Sequence, residues 1–279
     1  MLIQLLNGFL WGWIIALVAL GLNLIYGILG IVNVAHGTFY MLGAVVALTL
    51  LPYVGFWGAL IAAVIIVAII GVACERVVLR PLLNNPVMTI LATFGLLLAL
   101  EQTVALTFGP TARAMTDPLG WTFELDGTTY SGYRVVVALC AVITIIGVEL
   151  FLQRTRWGSW IRAVNQNHEL AAVQGVPVPQ VYSLTFGLGT GLAALAGVLV
   201  APIVGVHFTM GFNIIILAFV VVIVGGTGSL WGTVLVAIGA AELENLLILI
   251  TRPTAARMIT FIVLGLLLVI RPQGLFGRR

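Results

Sequence analysis

Hydrophobic positions fall in long runs separated by short polar stretches, and run length is the first constraint. A helix rising about 1.5 Å per residue needs about 20 apolar residues to cross a hydrocarbon layer about 30 Å thick. Runs of that order, with their flanks, cover Leu5 to Ile28, Val54 to Ala73, Val87 to Phe108, Val135 to Leu152, Val181 to Val206, Gly232 to Ile250 and Met258 to Ile270. Two more, Thr38 to Leu51 and Asn213 to Val224, are shorter. The pattern predicts an all-α, polytopic transmembrane bundle of about eight or nine membrane segments, with the two short ones open to a re-entrant course. Residues 1–279 then form one transmembrane domain, and the polar stretch 153–180 is its largest helix-competent loop.

Composition removes the soluble alternatives. Of 279 residues 62% are hydrophobic and 8% charged, with a mean hydropathy of +1.21, whereas a soluble domain carries roughly 25% charged residues. Apart from His36, no acidic or basic side chain precedes Glu75. All twelve basic residues are arginine, so Schiff-base chemistry and the phosphate-binding lysine of a Walker A loop are absent. No catalytic residue, cofactor or metal is expected, and His36 has no second histidine beside it. Cys74 and Cys140 lie within or at the ends of apolar segments and read as small buried hydrophobes. Residues 1–30 lack a basic flank, so the first helix is expected to stay.

A net charge of +3 could indicate a nucleic-acid partner, but the arginines are scattered at the ends of apolar runs. They report topology instead, and the expected surroundings are a lipid bilayer with no nucleic acid. With nine crossings, one face receives Arg76, Arg80, Arg154, Arg156, Arg162, Arg271, Arg278 and Arg279. The other receives Arg113, Arg134, Arg252 and Arg257. The positive-inside rule then puts the N-terminus outside, the C-terminus in the cytoplasm and the Asp117, Glu124, Asp126 loop outside.

Two glycine-rich breaks interrupt the regular pattern. Gly27 to Thr38 joins the first span to the first short run, and Gly225-Gly226-Thr227-Gly228-Ser229-Leu230-Trp231-Gly232 follows the second. Such breaks mark a translocation pathway in many transporters; the competing reading is a tight turn at the membrane surface with glycines at positive φ. Thr38 and Ser229 are expected as N-caps. Glu101, Gln102, Glu242, Glu244 and Asn245 lie inside apolar runs with no evident Arg or His partner. Glu242, about ten residues from either end of its run, is the deepest, suited to a polar function or a buried interhelical hydrogen bond.

The stretch Arg154 to Pro177 is polar yet helix-competent. Trp157, Trp160, Ile161, Val164, His168 and Ala171 recur at spacings of three and four, and Gly175 and Pro177 close one short helix lying across the membrane face. Taken alone it is an interfacial anchor, a connector or a docking helix. Glu169, Ala171, Ala172 and Gly175 are similar to the Glu-Ala-Ala-x-x-x-Gly loop by which ABC importer permeases engage their ATPases, with Leu170 interrupting the usual order.

Four motifs in order widen the resemblance: Asn33-Val-Ala-His36-Gly37 with Tyr40-Met-Leu-Gly43-Ala, Arg162-Ala-Val to Gly175, Phe186 to Pro202, and Ala218 to Gly232. From about Leu5 to Gly274 the chain resembles the LivH/LivM family of branched-chain amino acid ABC permeases, on the LivH side. The resemblance implies a bacterial inner-membrane permease working with a LivM-like sister permease, two cytoplasmic ATP-binding subunits that hydrolyse the ATP, and a periplasmic solute-binding protein. Relatives also handle urea, short amides and aromatic acids. The glycine breaks place the candidate substrate pathway at Asn33, His36, Gly37, Gly225, Gly226, Thr227 and Gly228, and its depth adds Glu242. Trp157, Trp160, Arg162, Glu169, Ala171, Ala172 and Gly175 would couple it to the ATPases. An ATP-independent channel or secondary carrier, and a purely structural membrane subunit, are the rival readings.

Overall fold

The computed structural model describes residues 2–125 and 127–277. Asp126, Arg278 and Arg279, used above for topology, lie outside the described residues. The elements are α1 (Leu2–Leu29), α2 (His36–Cys74), α3 (Pro86–Phe108), β1 (Thr122–Leu125), β2 (Thr128–Ser131), α4 (Gly132–Arg154), α5 (Arg156–Gln166), α6 (His168–Val173), α7 (Val178–Val204), α8 (Met210–Gly225), α9 (Leu230–Ile248) and α10 (Pro253–Ile270). Among the described residues seven helical stretches are long and apolar enough to cross a membrane, and α8 is a shorter apolar helix.

Both short runs are helices, but neither is isolated. Thr38 to Leu51 and Val54 to Ala73 fuse into α2, whose 39 residues would be about 58 Å long if straight. It is not straight: Gly55 has φ 69° and ψ 176°, a conformation open to glycine. A Cβ on Gly43 would lie 2.5 Å from Ala194 Cα, and one on Gly71 2.9 Å from Thr190 Cβ. Positions 28 residues apart on α2 thus touch positions four apart on α7, so α2 doubles back at Gly55. Past Cys74 the helix continues as a π turn (Glu75–Leu79) and a 3-10 turn (Arg80–Leu82), where the sequence reads as a polar connection.

α1 and α7 form the centre and run in opposite directions. They cross at Gly21 and Gly189, where a Cβ on Gly189 would sit 2.7 Å from Gly21 O. In lipid, helices gain little from burying apolar surface against each other, so such backbone-close contacts between small residues carry the association. α9 lies antiparallel along α1, with Gly12 against Ile238 and Gly8 against Glu242. Phe39, Tyr133 and Phe186 are the largest fully enclosed side chains. Cys74 and Cys140 are free and half-buried.

One small sheet departs from the all-helical expectation. β1 and β2 pair antiparallel, Thr122 opposite Ser131 and Leu125 opposite Thr128, with Gly127 at φ 74°. Tyr130 and Arg134 both donate to Asn7 Oδ1, at 2.8 and 2.9 Å, so the hairpin sits over the start of α1. Asp117 Oδ1 accepts from the Leu119 and Gly120 backbone N–H groups, and its Oδ2 from Ser131 Oγ. Burial would push the Asp117 carboxyl up, but these three donors outweigh it and hold the group below the usual carboxylate range. This is the hairpin end of the bundle; α5 and α6 mark the opposite end.

Candidate functional site

After α1 ends at Leu29 the chain does not turn on the surface. Residues 30–35 run back into the bundle, held on α3 where Thr93 Oγ1 donates to Val32 O and accepts from Val34 N, both at 3.3 Å. His36, the first residue of α2, reaches Val18 O on α1 through Nε2 at 3.1 Å. Val18 is eleven residues from the end of α1, about 16 Å deep. The connection from α7 to α8, which the sequence reading did not single out, is built the same way in the opposite sense. α7 ends at Val204, Val206 pairs with Arg113 through two backbone hydrogen bonds of 2.8 and 2.9 Å, and α8 starts at Met210.

The two returning segments meet. Gly37 and Gly211, each the second residue of its helix, pack backbone on backbone: a Cβ on Gly37 would be 2.9 Å from Gly211 C, and one on Gly211 2.6 Å from Gly37 C. From there the helices diverge. The first limb of α2 runs to the hairpin end, where Val45 and Leu48 border Arg113 and Val206. α8 runs to the α5 end, where Val224 O accepts from Leu275 N at 2.7 Å. Two N-terminal helix poles, each about half a positive charge, therefore face one another inside the bundle. Around them Asn33, His36 and Thr38 are wholly buried, yet Asn33 Nδ2 and Oδ1, His36 Nδ1 and Thr38 Oγ1 have no hydrogen-bond partner.

Several expectations change in detail. Thr38 is not an N-cap, because the helix begins two residues earlier, at His36, with Ala35 in the N-cap position and no side-chain cap; Ser229 is one, accepting from Gly232 N at 3.2 Å. Glu242 is not the midpoint of its helix: α9 starts and ends earlier than the apolar run, and its packing on Gly8 puts Glu242 six residues from the end at Ile248. Its Oε2 is buried without a partner. Glu244 has the cationic partner that the sequence did not reveal, Arg257 of α10 at 3.1 Å. Asn245 donates to Ala241 O within its own helix. Glu101 is buried with Oε1 unpartnered, and Gln102 is exposed.

The glycine-rich segment after α8 lies far from Gly37, at the α5 end. Gly225 packs on Gly232, and a Cβ on Gly226 (φ 97°) would meet Gly277 N of the C-terminal tail at 2.5 Å. Thr227 and Gly228 are exposed. The clamp on this segment is a residue the sequence reading passed over, Asn23 of α1. Its Oδ1 accepts from Gly228 N at 2.8 Å, and its Nδ2 donates to Ser229 O at 3.1 Å and Thr233 Oγ1 at 2.7 Å. An asparagine inside an apolar run was the available signal. Asn23→Ala is expected to cost about 1–3 kcal/mol, read as a lower unfolding temperature with faster amide exchange at Gly228.

Between α4 and α7 the sequence predicts one helix, and the structure has two. Asn167 is extended (φ −162°, ψ 110°) and caps α6 by accepting from Leu170 N at 3.0 Å. A side chain that holds a helix start breaks a helix that periodicity alone would continue. Ile161, Val164 and Ala171 are buried against Ile28 and Val181. Trp157 and Trp160 stack edge to face at 4.8 Å, with the Arg156 guanidinium 5.0 Å over Trp160. Arg162, Glu169, Ala172 and Gly175 are exposed, as are Leu170 (61%) and Val173 (86%). Gly175 at φ 81° ends the element. Asn165 of α5 lies beside Gly27 and Gly228, so this surface adjoins the Asn23 clamp.

The helical layer, the opposed half-buried helices and the exposed α5–α6 shelf define a multi-pass transport protein. Residues 4–270 match the family model described as the permease component of the branched-chain amino acid transport system. The chain is 30% identical to the high-affinity branched-chain amino acid permease BraD of Pseudomonas aeruginosa, covering 99% of this chain and 95% of that protein. It is 28% identical to LivH of Escherichia coli over the same shares, and 28% identical to a probable LivH of Methanocaldococcus jannaschii over 95% and 89%. No solved structure matches. The chain belongs to the branched-chain amino acid transport permease family.

Proposed function

We infer that this chain is the permease subunit of an ABC importer for branched-chain amino acids or related small solutes in the bacterial inner membrane. The observation that carries this reading is the α5–α6 shelf. It exposes Leu170 and Val173 beside Glu169, a surface suited to a protein groove, and it adjoins the segment that ends α8. Two cytoplasmic ATP-binding subunits dock there and hydrolyse ATP, so this chain holds no cofactor. A LivM-like sister permease completes the pathway, and a periplasmic solute-binding protein delivers substrate at the hairpin end.

The charges support that orientation. Arg76, Arg80, Arg154, Arg156, Arg162 and Arg271 belong to the α5 end, against Arg113, Arg134, Arg252 and Arg257 at the other, so the α5 end is cytoplasmic and the N-terminus outside. The facing poles of α2 and α8, with Asn33, His36 and Thr38, suit a substrate carboxylate once the helices part. Gly225, Gly226, Thr227 and Gly228 would then act as the cytoplasmic hinge. Glu242, remote from Gly37, fits a packing role better than substrate contact.

Glu169→Lys is expected to reduce ATPase co-purification at least ten-fold, and deletion of 157–175 to abolish it, while the permease still inserts. Intact association in both variants, or solute uptake into liposomes without ATP, would refute the assignment.

A further inference from the structure

A cavity of about 580 Å³ opens at the α5 end, bounded by α1, the last turns of α4, α5 and the segment that Asn23 clamps. Two opposite charges line it, Glu149 of α4 and Arg162 of α5. They do not neutralise one another, since among the described residues the ion pairs are Arg80 with Glu75 and Arg257 with Glu244. Glu149 accepts only from Gln153 one turn on, and the Arg162 guanidinium has only a 3.5 Å contact to Ser159 Oγ. More than 4 Å of space therefore separates an unpaired carboxylate from an unpaired guanidinium. Asn165 adds an amide to the wall, and Leu24 and Ile28 supply an apolar side.

We propose that this cavity is a binding site for a small zwitterionic amino acid with an apolar side chain. Its α-ammonium pairs with Glu149, its α-carboxylate with Arg162 and Asn165, and its side chain lies on Leu24 and Ile28. A ligand carrying both charges engages both walls together, the half-buried Glu149 and the exposed Arg162, whereas a neutral solute such as urea matches neither by charge. Each pairing is a charge-assisted hydrogen bond, and the two made together select a zwitterion over an ion of either sign. The cavity is separate from the Gly37–Gly211 contact and lies against the shelf, so occupancy here would be felt by α5. The proposal draws on the amino-acid permease reading for the choice of probe.

The test is equilibrium binding of radiolabelled L-leucine to the assembled, nucleotide-free permease–ATPase complex without binding protein, in lipid nanodiscs. Glu149→Gln and Arg162→Gln are each expected to weaken leucine binding by at least about ten-fold. Glu149→Gln should leave competition by 4-methylpentanoate, which has no ammonium, unchanged. Arg162→Gln should leave competition by leucinamide, which has no carboxylate, unchanged. Unfolding temperature confirms that both variants fold, and because Arg162 also lies on the ATPase-coupling shelf, leucine binding is compared only between complexes matched for ATPase content. Absence of saturable leucine binding, leucine affinity unaltered in either variant, or loss of all three ligands in parallel overturns the site. ATP-driven leucine uptake by the wild-type importer is scored separately, and its failure would overturn the functional reading rather than this one.

Discussion

Gly211→Ala is expected to abolish uptake, reducing it more than ten-fold, although it adds one methyl group. That methyl would sit 2.6 Å from Gly37 C and 3.1 Å from Thr38 N, both backbone atoms at a helix start that cannot rotate away. The N-termini of α2 and α8 must separate, which breaks the register holding His36 on Val18 O and Met210 N on His207 O. Overpacking of this kind costs about 1–3 kcal/mol, and Gly37→Ala should behave in the same way for the reciprocal reason. Gly95→Ala and Gly239→Ala are the controls. Both are helical, a Cβ on either meets nothing within 4 Å, and alanine is the better helix former by about 1 kcal/mol. Both controls should be neutral or more heat-resistant with uptake intact; equal damage at all four glycines would remove the special standing of the Gly37–Gly211 contact.

The same contact marks how far sequence reasoning reaches here. Uninterrupted apolar length defines a span, so α1, α3, α4, α7, α9 and α10 were legible to within a few residues. The course of 30–35 is legible only as a break in pattern, and 205–209 carries no glycine-rich signal at all, because a segment that re-enters the bundle and one that turns on its surface have the same residues. What decides between them is a tertiary fact, Gly37 meeting Gly211 across 174 positions of sequence. The fold-back of α2 turns on one glycine, Gly55, inside an apolar run, and Gly58, three residues later, is an ordinary helical glycine. The hairpin has an Asp-Gly turn signal between β-competent residues, but it lies inside a long polar stretch that reads as a single connection. The two glycine-rich breaks read alike in sequence, both lying between apolar runs. The structure separates them, with Gly37 deep in the bundle and Gly226 to Gly228 at the α5 end.

Arg80→Ala is expected to lower stability by about 3–5 kcal/mol, the range for a buried ion pair deprived of one partner. Glu75 is fully buried, and all its partners lie at the junction of α2 with the start of α7. Arg80 Nε and Nη2 donate to its two carboxylate oxygens at 2.9 and 2.8 Å, and Ser183 Oγ donates to Oε2 at 2.9 Å. Arg80 Nη2 also reaches Pro179 O at 2.8 Å, and Arg76 Nε donates to Ser183 Oγ at 3.0 Å. Removing Arg80 leaves a carboxylate enclosed with one hydroxyl donor, whereas Glu75→Gln keeps an acceptor for Arg80 and should cost less. The Glu75→Gln/Arg80→Ala double variant should be more stable than the sum of the two single effects predicts, because its buried group no longer carries a charge. Thermal unfolding of the four proteins in one lipid nanodisc preparation measures that coupling, and additive losses would mean that Glu75 is reached by water. The network anchors Pro179 and Ser183 within the first turns of α7, directly after the α6 shelf. Its loss should therefore weaken uptake more than ATPase association, since a docked shelf transmits movement only while α7 is fixed to α2.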